Sequence, residues 1–346
     1  MRLEAGENSE NIQAGRDVVI NGLDYQSTKA VALDVFNANI ETFVKKAVEI
    51  AQQRNEEFTE KFVRKTFEEN ASLAEKFQEP AVQSSIFNAQ KEYAKSGDIE
   101  LESHLVKLLV ERIKADESSL EKIVYDEALL SISKLTSQQR NLSTLIYLIS
   151  SITYNNINNV PLLDEYFRQR LLIFYSGEIF KQANISHLQF CGCCILLAEG
   201  NSYKSVAELH LLRYKGLFSK GFSLDQLKSR IPDIHVFENL LIKCLRDPSL
   251  IQIGTLTDSD LTEQLNELIS PNIQVFRSLW EESSMSSEEV EQLLSESYPN
   301  ARELQHDWKK SSVKSMHLTP VGQVIAILNY NQYVQNYQMP LTLAFN

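Results

Sequence analysis

The sequence predicts a mainly α protein: helical bundle domains, a short amino-terminal β element and a winged-helix-like carboxyl half. Three observations carry the prediction. Glycine and proline number only 11 and 8 in 346 residues, few for a sandwich or barrel full of turns. Apolar residues recur at three- and four-residue spacing through most of the chain, the period of an amphipathic helix. Strand-like runs are short and confined to the first two dozen residues, 250–253 and 313–318. At 43% hydrophobic the chain is globular, and its length allows two or three domains. These read as 1–26, a β assembly element; 27–157, a long helix plus helical bundle; and 158–346, a helical domain with winged-helix-like features.

The first element spans Gly6–Gly22. Two short runs, Asn11–Ala14 and Asp17–Ile20, flank Gly15, where a positive φ is expected. Strands this short cannot bury a face by themselves. The same stretch in a second copy supplies the missing partner, which makes Asn8, Asn11, Ile12, Val18 and Ile20 assembly residues. Ser27 or Thr28 then caps a helix running to about residue 70. Ile40, Phe43, Val44, Ala47, Val48 and Ala51 form its apolar stripe, continued by Phe58, Phe62 and Val63, while Lys45, Glu49, Arg54, Glu60 and Lys61 make a mixed-sign solvated face. A helix of that length packs on a long partner helix or on another subunit. Phe43, Phe58 and Phe62 therefore join the assembly residues.

Pro80 interrupts the chain. Ile86–Ala94 forms a short helix that stops at Ser96-Gly97-Asp98. A Leu-rich helix follows from Glu100 to about Asp116, and its partner runs over Leu120–Ile132. Thr136 caps the strongly apolar run Leu142–Ile152. The asparagine-rich 155–159 and Pro161 mark a domain boundary. Helices are expected at 162–174, 185–198, 205–212, 224–231 and 236–244. After a strand at Leu250–Ile253 come helices at 260–269, 275–280 and 287–294, then a strand at Val313–Leu318. Pro320 opens the last helix, where a missing N–H costs nothing.

Net charge and motifs narrow the function classes. A formal charge of -12 disfavours non-specific attraction to nucleic acid or anionic lipid. The longest apolar runs, Leu142–Ile152 and Leu188–Ala198, fall short of the ~20 residues of a membrane-spanning helix. No apolar signal core follows Met1, and Cys191-Gly192-Cys193-Cys194 is no disulfide framework, so a reducing cytoplasm fits best. That cluster lies in an apolar run without a matched second ligand pair, which favours core packing over zinc. Gly192 beside it suggests the close approach of another helix. The six histidines show no metal-helix spacing, and the phosphate-loop, dinucleotide and nucleophile-elbow patterns are absent. The sequence therefore assigns no catalytic, metal or cofactor-binding residue and no cofactor. An enzyme with a site assembled from scattered residues stays open.

Strand 250–253 and the run Leu318-Thr319-Pro320-Val321-Gly322 resemble the layout of a winged helix, in which a Leu-Thr-x-x-Gly turn closes the wing. Lys309, Lys310 and Lys314 are then the candidate nucleic-acid contacts. Charge favours a winged helix used for protein contacts over one that reads DNA.

Phe87–Leu135 resembles part of the abortive-infection alpha proteins of bacteria. The match is an alanine and aromatic helix (Ala89, Tyr93, Ala94), a break at Ser96-Gly97-Asp98, a Leu-rich helix (Leu101, Leu105, Leu108, Leu109) and a further helix ending near Leu135. The opening Asn8-Ser9-x-Asn11-Ile12-Gln13-Ala14-x-x-Asp17-Val18 resembles an element at the front of uncharacterised bacterial proteins, some tied to conflict with phages. The resemblance implies a helical bacterial protein in antiphage defence or abortive infection; the short strands and the unbroken helix add self-assembly, which together give a self-assembling interaction protein. Its partners would be further copies of itself and a phage or host protein. The alternative is a nucleic-acid-binding regulator acting through the carboxyl half.

Overall fold

Most helix starts among the described residues are set by short polar side chains. The computed structural model describes residues 25–116, 118–197 and 204–345. The chain divides into two units, Met1–Glu56 and Glu57–Asn346. The described part of the first is helical and belongs to α1 (Tyr25–Glu69). Val31, Leu33, Val35, Val44, Val48 and Ile50 on it are each about half exposed.

The second unit takes up the end of α1 and continues with α2 (Pro80–Ser96), α3 (Ile99–Lys114), α4 (Leu120–Ile132), α5 (Ser137–Ile146), α6 (Val160–Glu165) and α7 (Gln182–Phe190). Beyond β1 (Cys194–Leu196) lie α8 (Val206–Tyr214), α9 (Leu224–Arg230), β2 (Leu241–Lys243), β3 (Ile251–Ile253), α10 (Asp258–Asn266) and α11 (Ile273–Ser283). The chain closes with α12 (Ser287–Ser297), α13 (Ala301–Lys310), β4 (Met316–Leu318) and α14 (Pro320–Tyr333). The protein is mainly α.

Gly97, at φ 62°, ends α2, and Asp98 accepts hydrogen bonds from the Glu100 and Leu101 amides to start α3. Thr136, Ser205, Ser223, Thr257 and Ser286 each form a reciprocal capping box with the side chain three residues on. Asp98→Ala is expected to cost about 1 kcal/mol, read as a lower urea midpoint with an unchanged slope.

The larger core joins both halves of the sequence. Helix α14 is apolar nearly all round, with Val324, Ile325, Ala326, Ile327 and Leu328 buried, and it packs against α5, α4 and α3. Ile149, Ile157 and Leu163, which stand before, within and after residues 155–161, lie in the same cluster. The predicted boundary there is a surface turn over one continuous core, because loop polarity reports exposure to water and not separation of domains. A second, smaller core gathers Phe222, Leu227, Phe237, Ile253, Leu261, Phe276 and Trp280 beneath α9–α11 and the β2–β3 ribbon.

The strands depart from expectation. Two strands were expected in the carboxyl half, and the described residues hold four, in two antiparallel pairs. Cys194 faces Leu318 in one pair, and Leu241 faces Ile253 in the other. The expected helix at 185–198 breaks after Phe190 because Gly192 turns the chain at φ 72°, and β1 follows. The expected helix at 236–244 is a 3-10 turn (His235–Leu240) leading into β2. Short apolar runs do not distinguish helix from strand. The stretch ending at Leu318 pairs with β1, so it does not form a wing with 251–253.

Candidate functional site

Helix α3 turns Leu101, Leu105, Leu108 and Leu109 into the core, leaving Ser103 and Lys107, one turn apart, on another face. The last turns of α1 present Lys61, Arg64 and Lys65 at three- and four-residue spacing. Together with Gln332 of α14 these side chains line a groove of about 610 Å³. A second cavity of about 290 Å³ adjoins it across Lys65 and Lys107 and is lined further by Asn331, Gln338 and Thr342.

Most charges around the groove are neutralised locally. Glu102, buried, pairs with Lys61. Glu100 receives the Arg140 guanidinium at 2.9 Å. Lys114 holds Glu69 at 2.7 Å and Glu111 at 2.9 Å. Lys65 lies 3.6 Å from Glu68 and 3.5 Å from Glu69, surface pairs of little strength. The Arg64 and Lys107 side chains make no ion pair or hydrogen bond with any described residue. Burial, and then the Lys65 ammonium, push the Lys107 amine below its ordinary value. Ser103 donates to the Gln332 side-chain oxygen at 3.0 Å, which occupies the groove's hydroxyl. Glu68, Glu100 and Glu102 share the groove wall with the four cations, and among the described residues it presents no nucleophile with a base beside it.

A second polar cluster is interior. The π-helical turn Tyr166–Leu171 carries Arg170 into the core, 4.0 Å from the Tyr337 ring centroid and 4.5 Å from that of Tyr154. Its Nε and one terminal nitrogen have no hydrogen-bond acceptor, so the ring faces supply much of the compensation for the buried charge. Nearby, His210 is fully buried and donates from Nδ1 to the Val206 carbonyl at 2.7 Å; burial holds its pKa down at about 3.

The cysteines are core residues. All four are buried and unpaired, and burial pushes the Cys193 and Cys194 thiols up to about 12. His187 comes within 3.7 Å of the Cys191 sulfur, but its Nδ1 faces the Gln139 amide at 2.8 Å. Among the described residues no group of three His, Cys, Asp or Glu side chains is placed to hold a metal ion. No helix of the described residues is long and apolar enough to cross a membrane.

The residues expected to drive assembly fall in three places. Asn8, Asn11, Ile12, Val18 and Ile20 lie outside the described residues. Phe43 lies on α1, in a stretch whose side chains are also outside the described set. Phe58 and Phe62 are corrected: both are buried within their own chain, Phe58 against Tyr93 at 6.0 Å between centroids and Phe62 against Phe77 at 5.3 Å. Among the described residues of the stripe, only these two rings are turned inward, by Tyr93 of α2 and by Phe77 of the 3-10 turn Ala71–Gln78. Of the candidate nucleic-acid contacts, Lys309 is paired with Glu291, Lys310 is exposed and Lys314 is half-buried. They lie on and after α13, which leads into β4 and not into the β2–β3 ribbon, so their expected place beside a wing is also corrected. The groove lysines were overlooked because Lys61 read as part of a solvated face. The signal was the Lys61, Arg64, Lys65 spacing, with Lys107 opposite on a separate helix.

Residues 22–343 match a protein-family model, and the chain belongs to that family, whose description, ":-like", names neither fold nor activity. No curated protein and no solved structure matches the chain.

Proposed function

We propose that the chain is a self-assembling interaction protein that acts in antiphage defence or abortive infection, with α1 as its assembly helix. The half-exposed aliphatic side chains between Val31 and Ile50 carry this reading. Val31 and Val35 stand one turn apart, as do Val44 and Val48, so each pair shares a helix face. An isolated helix draws little stability from propensity alone. A second copy laying the same stripe against this one removes apolar area from water at roughly 25 cal/mol per Å². The defence role draws its support from the resemblance over Phe87–Leu135, whose helix, break, helix and further helix fall on α2, α3 and α4.

Multi-angle light scattering tests the assembly. The unmodified protein is expected well above its chain mass of 39.5 kDa, and the double variant V44E/V48E near it. Full-length protein running as a monomer at tens of micromolar would remove the proposal. A plaque assay in bacteria expressing the two forms tests the role, with protection expected only from the assembling form.

A second reading, a nucleic-acid-binding regulator, takes support from the order α8, α9, β2, β3, a helix–helix–hairpin succession whose last three elements enclose the smaller core. It requires duplex binding that weakens steeply with salt. Absence of such binding at low salt excludes it.

A further inference from the structure

The two cavities that meet at Lys65 and Lys107 share no lining residue with α1's aliphatic stripe. We propose that they form one binding site for a small oligophosphate, its negative charge taken up by Arg64, Lys65 and Lys107. The first argument is electrostatic. Acidic residues outnumber basic ones by 46 to 34 in this chain. Lys61, Lys95, Lys114, Lys215, Lys220 and Lys309 all sit in ion pairs. Lys107 is the contrary case: half-buried, without an anionic partner, and close enough to Lys65 to be perturbed by it. A half-buried ammonium beside a like charge is unfavourable unless something compensates it. Exposed Arg64, equally unpaired, lines the same groove and adds the planar fork that suits phosphate oxygens.

The second argument is shape. About 610 Å³ is more than a single phosphate fills and lies in the range of small-molecule sites. A concave site on a molecule of charge -12 disfavours long polyanions and flat anionic membranes through long-range repulsion. It leaves small, multiply charged anions. Of the acids near the site, Glu102, Glu100, Glu69 and Glu111 are engaged by Lys61, Arg140 and Lys114, and Glu68 pairs loosely with Lys65 at 3.6 Å, so none is paired with Arg64 or Lys107. Ile99, 72% exposed on the groove wall, offers an apolar surface for an organic group attached to the phosphates.

Isothermal titration calorimetry on the full chain with tripolyphosphate, ATP without metal, and citrate tests the assignment. Saturable binding of tripolyphosphate or ATP is expected, stronger than that of citrate and weakened by added salt. Tighter binding of ATP than of tripolyphosphate assigns the apolar wall to the ligand's organic part; equal binding assigns the site to the phosphate chain alone. Lys107→Met and, separately, the exposed Arg64→Ala are each expected to weaken binding roughly tenfold. Ligand-free Lys107→Met should melt no lower than the unmodified protein, because it loses an uncompensated charge. The proposal is overturned if neither phosphate probe binds saturably, if citrate binds as tightly, or if both variants retain full affinity.

Discussion

Acidification from pH 7 to pH 4.5 is expected to remove several kcal/mol of folding stability, with His104 and His210 as the main cause. Both are fully buried, and burial is the largest influence on each, holding their pKa values down at about 4 and about 3. In the unfolded chain both titrate near 6.5. The folded state therefore keeps them neutral where the unfolded state takes up a proton. Stability is full above about pH 6.5 and falls as the pH drops, the loss ceasing once each folded pKa is passed. At 1.36 kcal/mol per tenfold difference in proton affinity, the full effect is roughly 3 kcal/mol for His104 and up to about 5 for His210. Against a typical total of 5–15 kcal/mol, that decides whether the fold survives.

The carboxylates act in a lower window. Glu69, Glu208, Asp258 and Glu289 are all held below their ordinary values, so their contributions are present above the unfolded carboxylate pKa and are lost only beneath it. The interval from 6.5 to 4.5 thus reports on the histidines. His104 offers a clean variant because neither ring nitrogen has a hydrogen-bond partner. His104→Leu should match the unmodified protein near pH 7, then retain about 2 kcal/mol more at pH 4.5. Urea midpoints at five pH values measure this. Parallel curves for the two proteins would assign the acid loss elsewhere.

Much of the helical framework was legible because its signals are local. Gly97-Asp98, Thr136 with Gln139, and Pro320 mark helix ends through their own backbone preferences, and each lies at an observed end. The strands β1 and β2 were missed for the opposite reason. Three-residue runs acquire strand geometry only from partners 124 and 10 positions away, as Cys194 does from Leu318 and Ile242 from Gln252. Phe58 and Phe62 show the same limit on function. Periodicity identifies a sticky face, but only the packing of Tyr93 and Phe77 shows that their own chain covers it. The groove at Lys107 needed three helices in place, α1, α3 and α14. A lysine between Val106 and Leu108 is unremarked in sequence, and its lack of an ion-pair partner becomes visible only in three dimensions.

Gly322→Ala is expected to destabilise the protein by about 3 kcal/mol, at the upper end of what overpacking costs. The Leu318-Thr319-Pro320-Val321-Gly322 run is a junction between β4 and α14, and its residues divide the work. Pro320 fits the first helical turn, and Thr319 caps it by accepting from the Gly322 amide at 3.2 Å. The same Thr319 hydroxyl donates to the Gly192 carbonyl at 2.6 Å, while its amide donates to the Cys193 carbonyl at 3.0 Å. These bonds draw the start of α14 down onto the Gly192–Cys193 turn. A Cβ at Gly322 would lie 1.9 Å from the Cys193 carbonyl oxygen and 2.8 Å from its carbon. Both are backbone atoms with no rotamer to yield, so the clash is relieved only by lifting α14 from the turn and breaking the Thr319 bonds. Close approach was expected at Gly192; in the fold Gly192 supplies the left-handed turn with open space around it, and Gly322 supplies the close approach. Gly177→Ala is the matched control, since nothing lies within 4 Å of the added methyl. Equal urea midpoints for the two variants would contradict this docking, whereas a large loss at Gly322 alone accounts for the motif as a packing device between β4 and α14.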